Sequence, residues 1–250
     1  MNITAEGIIL RAVNYKESDK ILTVLTKERG KITVKAAGSR RKGSRLSSGT
    51  QLFCYSELSL FEKDGRFTLD DSYIKAQFYG LCADIEKMAL ASYFSQVLMA
   101  EPEEGTGDGE VLRLALNSFY ALEKGIFPQP VIKAAFELRY MALCGYSPDI
   151  SCCPICGSAG TGGYINTENG TMICQSCAGD RPFGGIFLDE EAVEAARYIL
   201  SCDMKRLFSF NLPTESLKRL VRFCEEYLLD KTEQGYKALD FYKSLFKQEE

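Results

Sequence analysis

Four cysteines constrain this chain more than any other feature. Cys153-Pro154-Ile155-Cys156-Gly157 and Cys174-Gln175-Ser176-Cys177 form two Cys-x2-Cys pairs with 17 residues between them. At that spacing four thiolates can surround one tetrahedral ion. Each short pair turns two sulfurs toward a common point, and Gly157 supplies the positive φ that such a turn favours. The insert carries Gly157, Gly160, Gly162, Gly163, Asn169 and Gly170, which reads as loops around a short β-hairpin. Four sulfurs complete the shell and leave no position for water or substrate, so one structural zinc is expected. Redox chemistry is the alternative, but a thioredoxin-like site needs a surrounding βαβ pattern that the sequence lacks.

The other six cysteines read differently. Cys152 is spaced poorly for the cluster and is a spare thiol, while Cys54, Cys82, Cys144, Cys202 and Cys224 stand singly in apolar contexts as expected core residues. Histidine is absent, which removes Ser-His-Asp and Cys-His nucleophile systems and every histidine-bearing zinc site. The start shows no basic segment followed by an apolar core. With unevenly grouped cysteines in 250 residues, a reducing, cytoplasmic setting is expected. No apolar run reaches the ~18 residues of a membrane span; residues 88–100 come nearest and are interrupted by Ser92, Tyr93, Ser95 and Gln96. The 46% hydrophobic and 26% charged content is that of a globular chain, and its length suggests two or three packed units.

Charge is divided along the chain. Residues 1–78 hold 14 basic and 9 acidic side chains, a balance of +5, against −9 for the rest. The same N-terminal stretch alternates as short strands do, at residues 8–10, 21–25, 32–34, 52–61 and 67–74. Lys63-Asp64-Gly65-Arg66 and Glu28-Arg29-Gly30 supply reversals. Five strands in so short a segment predict a small barrel, an OB-fold or an SH3-like one. Beyond residue 76 the apolar period lengthens to that of helices. These are predicted over 78–99 and 111–122, from Pro130 to Gly145 with an Ala135, Leu138, Ala142 stripe, from Asp189-Glu190-Glu191 onward, and along the Leu217, Leu220, Val221, Cys224, Leu228 face. An acidic, glycine-rich loop at 101–109 divides the first two.

Residues 35–49 carry Lys35, Arg40, Arg41, Lys42 and Arg45 with no acid. Gly38 and Gly43 have the separation of a P-loop, but Ser44-Arg45 stands where Lys-Ser/Thr is required, so a nucleotide-phosphate cradle is rejected. What remains is a mobile cationic segment that suits a phosphate backbone, or a solvated loop that aids solubility. The barrel strands add Phe53, Tyr55, Phe61, Phe67 and Tyr73. Aromatic and basic residues together are what single-strand binders use, although alternation sends about half of these rings inward.

These elements, in this order, resemble the RecO family of bacterial recombination mediators. The resemblance rests on Glu6-Gly7-Ile8-Ile9-Leu10, Tyr15-Lys16-Glu17-Ser18-Asp19-Lys20, the Gly38 to Leu46 loop, Phe136-Glu137-Leu138-Arg139 and Gly145-Tyr146-Ser147-Pro148. It implies an α+β chain with an OB-fold barrel at 1–78 and a helical domain in two parts, 79–148 and 183–250. A four-cysteine zinc insertion at 149–182 interrupts the helical domain. It also implies binding of single- and double-stranded DNA, strand annealing and, with RecR, help for RecA in replacing single-strand-binding protein, without bond cleavage. Lys35, Arg40, Arg41, Lys42 and Arg45 are then the leading DNA contacts, with Arg11, Lys16 and Lys20 beside them. Arg113, Lys133 and Arg139 are candidate receivers for the acidic tail of single-strand-binding protein. A monomer is expected. An RNA-binding protein and a zinc-stabilised scaffold remain the competing readings. An enzyme ranks behind both, because paired acids such as Asp70-Asp71 and Glu103-Glu104 lack an evident partner.

Overall fold

The computed structural model describes residues 1–100, 109–159, 162–179 and 184–246. Its first five strands are β1 (Asn2–Tyr15), β2 (Asp19–Thr26), β3 (Gly30–Ala36), β4 (Cys54–Lys63) and β5 (Arg66–Gln77). They close a barrel in the order β1-β2-β3-β5-β4. Closure is made by the one parallel pairing among them, Val34 with Phe67 and Lys35 with Thr68. This is the five-stranded Greek-key arrangement of an OB-fold, which decides between the two barrels the pattern allowed. β1 is long enough to pair β4 through its first half and β2 through most of its length. A bulge between Ile9 and Arg11 lets it bend between the two. Alternation fills the barrel: Ile32, Val34 and Ala36 point inward while Thr33 is exposed, and Leu22, Val24, Leu58, Leu60 and Leu69 complete the core.

Compactness groups the chain into Met1–Lys124 with Tyr236–Glu250, and Gly125–Gly235. The first unit adds three helices to the barrel, α1 (Ile85–Ala100), α2 (Glu110–Lys124) and the last helix of the chain. The single helix expected over 78–99 is broken: a short 3-10 turn, Tyr79–Ala83, precedes α1. Asp84 causes the break by accepting the amides of Glu86 and Lys87 at 3.0 and 3.1 Å, as an N-cap does. Phe53, fully buried, lies 5.1 Å from Phe119 of α2. It is therefore a core ring and not a stacking surface. Most of the acidic loop expected at 101–109 lies outside the described residues.

The second unit contains α3 (Gln129–Leu143), α4 (Gln175–Ala178), α5 (Glu190–Ser201) and α6 (Thr214–Thr232), with three short strands between α3 and α5. The last helix of the chain, α7 (Lys237–Phe246), belongs to the first unit. Within the second unit α3 is enclosed by α5 and α6, so it buries far more than the predicted stripe. Lys133 and Glu137 lie in that interior. The Lys133 ammonium sits 2.7 Å from Glu137 and 2.8 Å from Glu225 of α6, with only 3% of its side chain exposed. Burial pushes Lys133 down, but the two carboxylates carry it above the ordinary lysine value.

Among the single cysteines, Cys54 and Cys224 are buried as expected. Cys82 is exposed, and Cys144 and Cys202 are half-buried. Apolar neighbours in sequence do not fix which way one small side chain faces. No helix among the described residues is long and apolar enough to cross a membrane.

Candidate nucleic-acid surface and metal centre

The cationic segment joins β3 to β4 and is built from consecutive turns. Arg41 donates its amide to the Gly38 carbonyl at 3.1 Å, Ser44 to Arg41 at 3.0 Å and Ser47 to Ser44 at 3.1 Å. The expectation of a mobile segment is therefore replaced by a folded loop tethered to the barrel. Gly49 lies so close to β5 that a Cβ there would stand 2.0 Å from the Ser72 Oγ. Only glycine lets the backbone pass at that point.

The basic residues fall into two groups. The side chains of Arg41 and Lys42 are exposed and make no hydrogen bond or ion pair among the described residues. With Gly38, Ser44, Arg45 and Asp70 they line an open groove of about 470 Å³. Arg40 is exposed and reaches back to the Lys16 carbonyl at 3.3 Å. Arg45 donates to the Asp70 carbonyl at 2.9 Å and lies 4.0 Å from the Asp71 carboxylate. Lys35 is half-buried and paired with Asp19 at 3.3 Å. Lys20 donates to the Thr50 carbonyl at 3.0 Å, and burial followed by Arg40 pushes its pKa down. Arg11 is exposed on β1, and Lys16 stands 5.5 Å over the Tyr15 ring.

Of the aromatic candidates, Tyr73 is 73% exposed and Phe61 41%. Tyr55 is half-buried with its hydroxyl 2.7 Å from Glu6, and Phe67 packs against the barrel core. Two of the five rings thus face solvent.

The cysteine module is a three-stranded sheet in the order β7-β6-β8, from β6 (Gly163–Ile165), β7 (Met172–Cys174) and β8 (Ile186–Leu188). The expected hairpin is the β6 and β7 pair, and β8 adds a strand that its three residues were too short to announce. Gly157, with φ +71°, donates its amide to the Cys153 carbonyl at 2.8 Å and closes the first cysteine turn. The second pair runs from the end of β7 into α4. As a result the sulfurs of Cys153, Cys156, Cys174 and Cys177 lie within 4.8 Å of one another.

The Cys156 and Cys174 sulfurs are 3.7 Å apart. A tetrahedron of thiolates around zinc, with metal–sulfur bonds near 2.3 Å, has edges of about 3.8 Å. The donor set therefore fits a thiophilic metal ion. Electrostatics agree: backbone amides, led by that of Cys174, lower Cys153 to about 6, whereas hydrogen bonding to Cys156 and then Cys174 pushes Cys177 up to about 12. One thiolate forms readily and the next is opposed by its neighbours, so a cation is what lets all four ionise together.

This geometry can be set beside known proteins. Residues 1–78 match the family model described as Recombination protein O N terminal, and residues 82–240 the one described as Recombination protein O C terminal. The chain belongs to the RecO family. The DNA repair protein RecO of Acetivibrio thermocellus is 32% identical over 244 residues, covering 97% of each chain. That of Symbiobacterium thermophilum is 30% identical over 245 residues and 96% of each chain, and that of Listeria innocua 28% identical over 98% of this chain and 95% of its own.

Within this RecO-family chain the three candidate receivers of a partner's tail occupy different settings. Arg113 is accessible on α2 and paired with Glu110 at 3.1 Å. Lys133 is enclosed in its triad, and Arg139 donates to the carbonyls of Leu200 at 3.1 Å and Cys202 at 2.5 Å. The candidate surface also includes a residue that charge-reading passed over. Asp19, an acid, accepts the Gly38 amide at 2.8 Å at the root of the cationic loop. Only its place in the Ser18-Asp19-Lys20 turn marked it in the sequence, with nothing to say what it would hold.

Proposed function

We propose that this member of the RecO family, whose curated relatives are DNA repair proteins, is a DNA repair and recombination mediator that acts by binding. Its loop cations engage the backbones of single- and double-stranded DNA, it anneals complementary strands, and with RecR it helps RecA replace single-strand-binding protein. The observation that carries this reading is the pair Arg41 and Lys42, whose exposed side chains have no partner among the described residues, on an OB-fold loop that also bears Arg40 and Arg45. Two DNA strands repel each other, and a surface that neutralises phosphates on both lowers that repulsion while releasing counterions. Arg11 and Lys16 extend the surface. Lys35 and Lys20, each already bonded within the barrel, contribute mainly to its shape.

The metal is zinc, one ion held by Cys153, Cys156, Cys174 and Cys177, and its role is structural. Four thiolates leave no open coordination position, so the ion contributes folding free energy and no chemistry. Residues 1–78 act as the DNA-binding part, 149–182 as the zinc insertion, and 79–148 with 183–250 as the helical domain. There Arg113 is the accessible cation for the acidic tail of single-strand-binding protein. The chain works as a monomer in the cytoplasm, at the nucleoid during repair.

Annealing of complementary oligonucleotides coated with single-strand-binding protein tests the reading. Acceleration by the purified protein is expected, with loss of acceleration when Arg40, Arg41 and Lys42 are all alanine. No acceleration, and no binding of either nucleic acid at low salt, would leave a scaffold role. Tighter binding of an RNA strand than of its DNA equivalent would move the function to RNA.

A further inference from the structure

The cationic loop is fastened to the turn that precedes β2 and to the start of that strand. The Asp19 carboxylate accepts the Gly38 amide at 2.8 Å and faces the Lys35 ammonium at 3.3 Å. The Ser18 carbonyl accepts the Arg40 amide at 2.9 Å, and the Lys16 carbonyl accepts the Arg40 guanidinium at 3.3 Å. At the far end of the loop Lys20 holds the carbonyl of Thr50, a buried residue whose hydroxyl donates to the Leu46 carbonyl at 2.8 Å.

An acid at the root of a DNA-binding loop is electrostatically unfavourable, because its charge opposes an approaching phosphate. Its position makes sense if ordering the loop matters more. A loop whose turns are set before binding loses less conformational freedom when it grips a backbone. Gly38, whose carbonyl accepts the Arg41 amide, begins the run of turns through Arg41 and Ser44, so the group that fixes Gly38 through its N–H fixes where the following cations stand.

Resting on the DNA-binding reading above, we propose that Asp19 is the positioning residue of the cationic loop, so that this acid raises the affinity of the protein for a polyanion. It touches no DNA itself. It works through Gly38 and Lys35, and it leaves Arg41 and Lys42 as the cations presented to phosphate.

The sign of one substitution separates positioning from simple charge. Asp19→Ala adds one unit of positive net charge, which by Coulomb attraction alone strengthens DNA binding. Lost anchoring instead weakens it, by about three- to tenfold for one hydrogen bond of ordinary net worth. The measurement is fluorescence anisotropy of the full chain with a labelled mixed-sequence single strand at fixed salt. Asp19→Asn keeps an acceptor for the Gly38 amide and is expected to bind between Asp19→Ala and the unaltered protein. Binding by Asp19→Ala that equals or exceeds the unaltered protein overturns the proposal.

Amide hydrogen exchange supplies a readout that does not involve DNA. In Asp19→Ala, amides of residues 38–47 should exchange faster while those of the barrel strands keep their protection; unchanged exchange in the loop also overturns the proposal. If Asp19→Ala loses protection throughout the barrel, the Asp19→Asn pair of measurements decides in its place. Should the unaltered protein ignore DNA, the DNA-binding reading fails, and exchange still tells whether Asp19 holds the loop.

Discussion

The carboxylate of Asp19, at the start of β2, accepts the amide of Gly38, two residues past the end of the neighbouring β3, at 2.8 Å. That hydrogen bond, followed by the Lys35 ammonium, holds the Asp19 carboxyl below its ordinary value of 3.8. Glu6 is lowered likewise, first by Lys75 and then by the Tyr55 hydroxyl. A carboxyl with a depressed folded-state pKa binds fewer protons folded than unfolded, so stability rises with pH across that window. Both contributions are therefore complete above the unfolded values and are lost as pH falls through the lower folded ones. Carboxyl-carbon NMR titration should place both midpoints below the ordinary carboxylate values, with loop amides shifting along with Asp19.

Salt should oppose DNA binding steeply. If the loop neutralises about four phosphates of a single strand, the logarithm of affinity should fall with the logarithm of salt at a slope near −3. Replacing Arg40, Arg41 and Lys42 together by alanine should flatten that slope by about 2. A slope unaltered in the triple variant would locate the DNA surface elsewhere.

Metal analysis of the purified protein should find about one zinc per chain. Chelation, or Cys177→Ser, should lower thermal stability and speed amide exchange in the cysteine module and the adjoining α5 and α6. The coupling has visible ties. Arg197 of α5 donates to the carbonyls of Ile150 at 2.9 Å and Ser151 at 3.0 Å. On α6, Asp230 bonds Thr167, and Lys231 bonds the Glu168 carbonyl.

Lys133 is enclosed with two carboxylates, and such a group is costly to break by halves. Lys133→Met leaves Glu137 and Glu225 facing each other without their cation, and should lose about 3–5 kcal/mol in denaturant unfolding. Replacing all three residues by apolar side chains of similar volume should recover most of that loss, because no buried charge then remains unpaired.

The strands of the barrel and the clustering of the four cysteine sulfurs were legible because short-range rules govern them. Period-two alternation marks Ile32, Val34 and Ala36, and Cys-x2-Cys spacing needs only a tight turn. Long-range relationships were not legible. Lys133, read as an accessible cation for a partner's acidic tail, is instead enclosed by Glu137, four residues on, and by Glu225 of α6. Lys35 and Arg41 look alike in sequence, yet one is paired by Asp19 and the other is not. Pairing with β4 and then β2 carries β1 from Asn2 to Tyr15, of which the apolar run at 8–10 marks only a part because Glu6 and Arg11 interrupt it and the bulge at Leu10 resets the alternation.

The placement of the cysteine module between α3 and α6 has a consequence for how quickly the second unit forms. Those two helices pack against each other, but the chain between them must first close a long excursion, and such closure slows the search for the native pairing. An ion that clips Cys153 to Cys177 shortens the free contour before the helices meet. Bound there, a metal ion would speed assembly of the helical core, and refolding in its presence should outpace refolding without it.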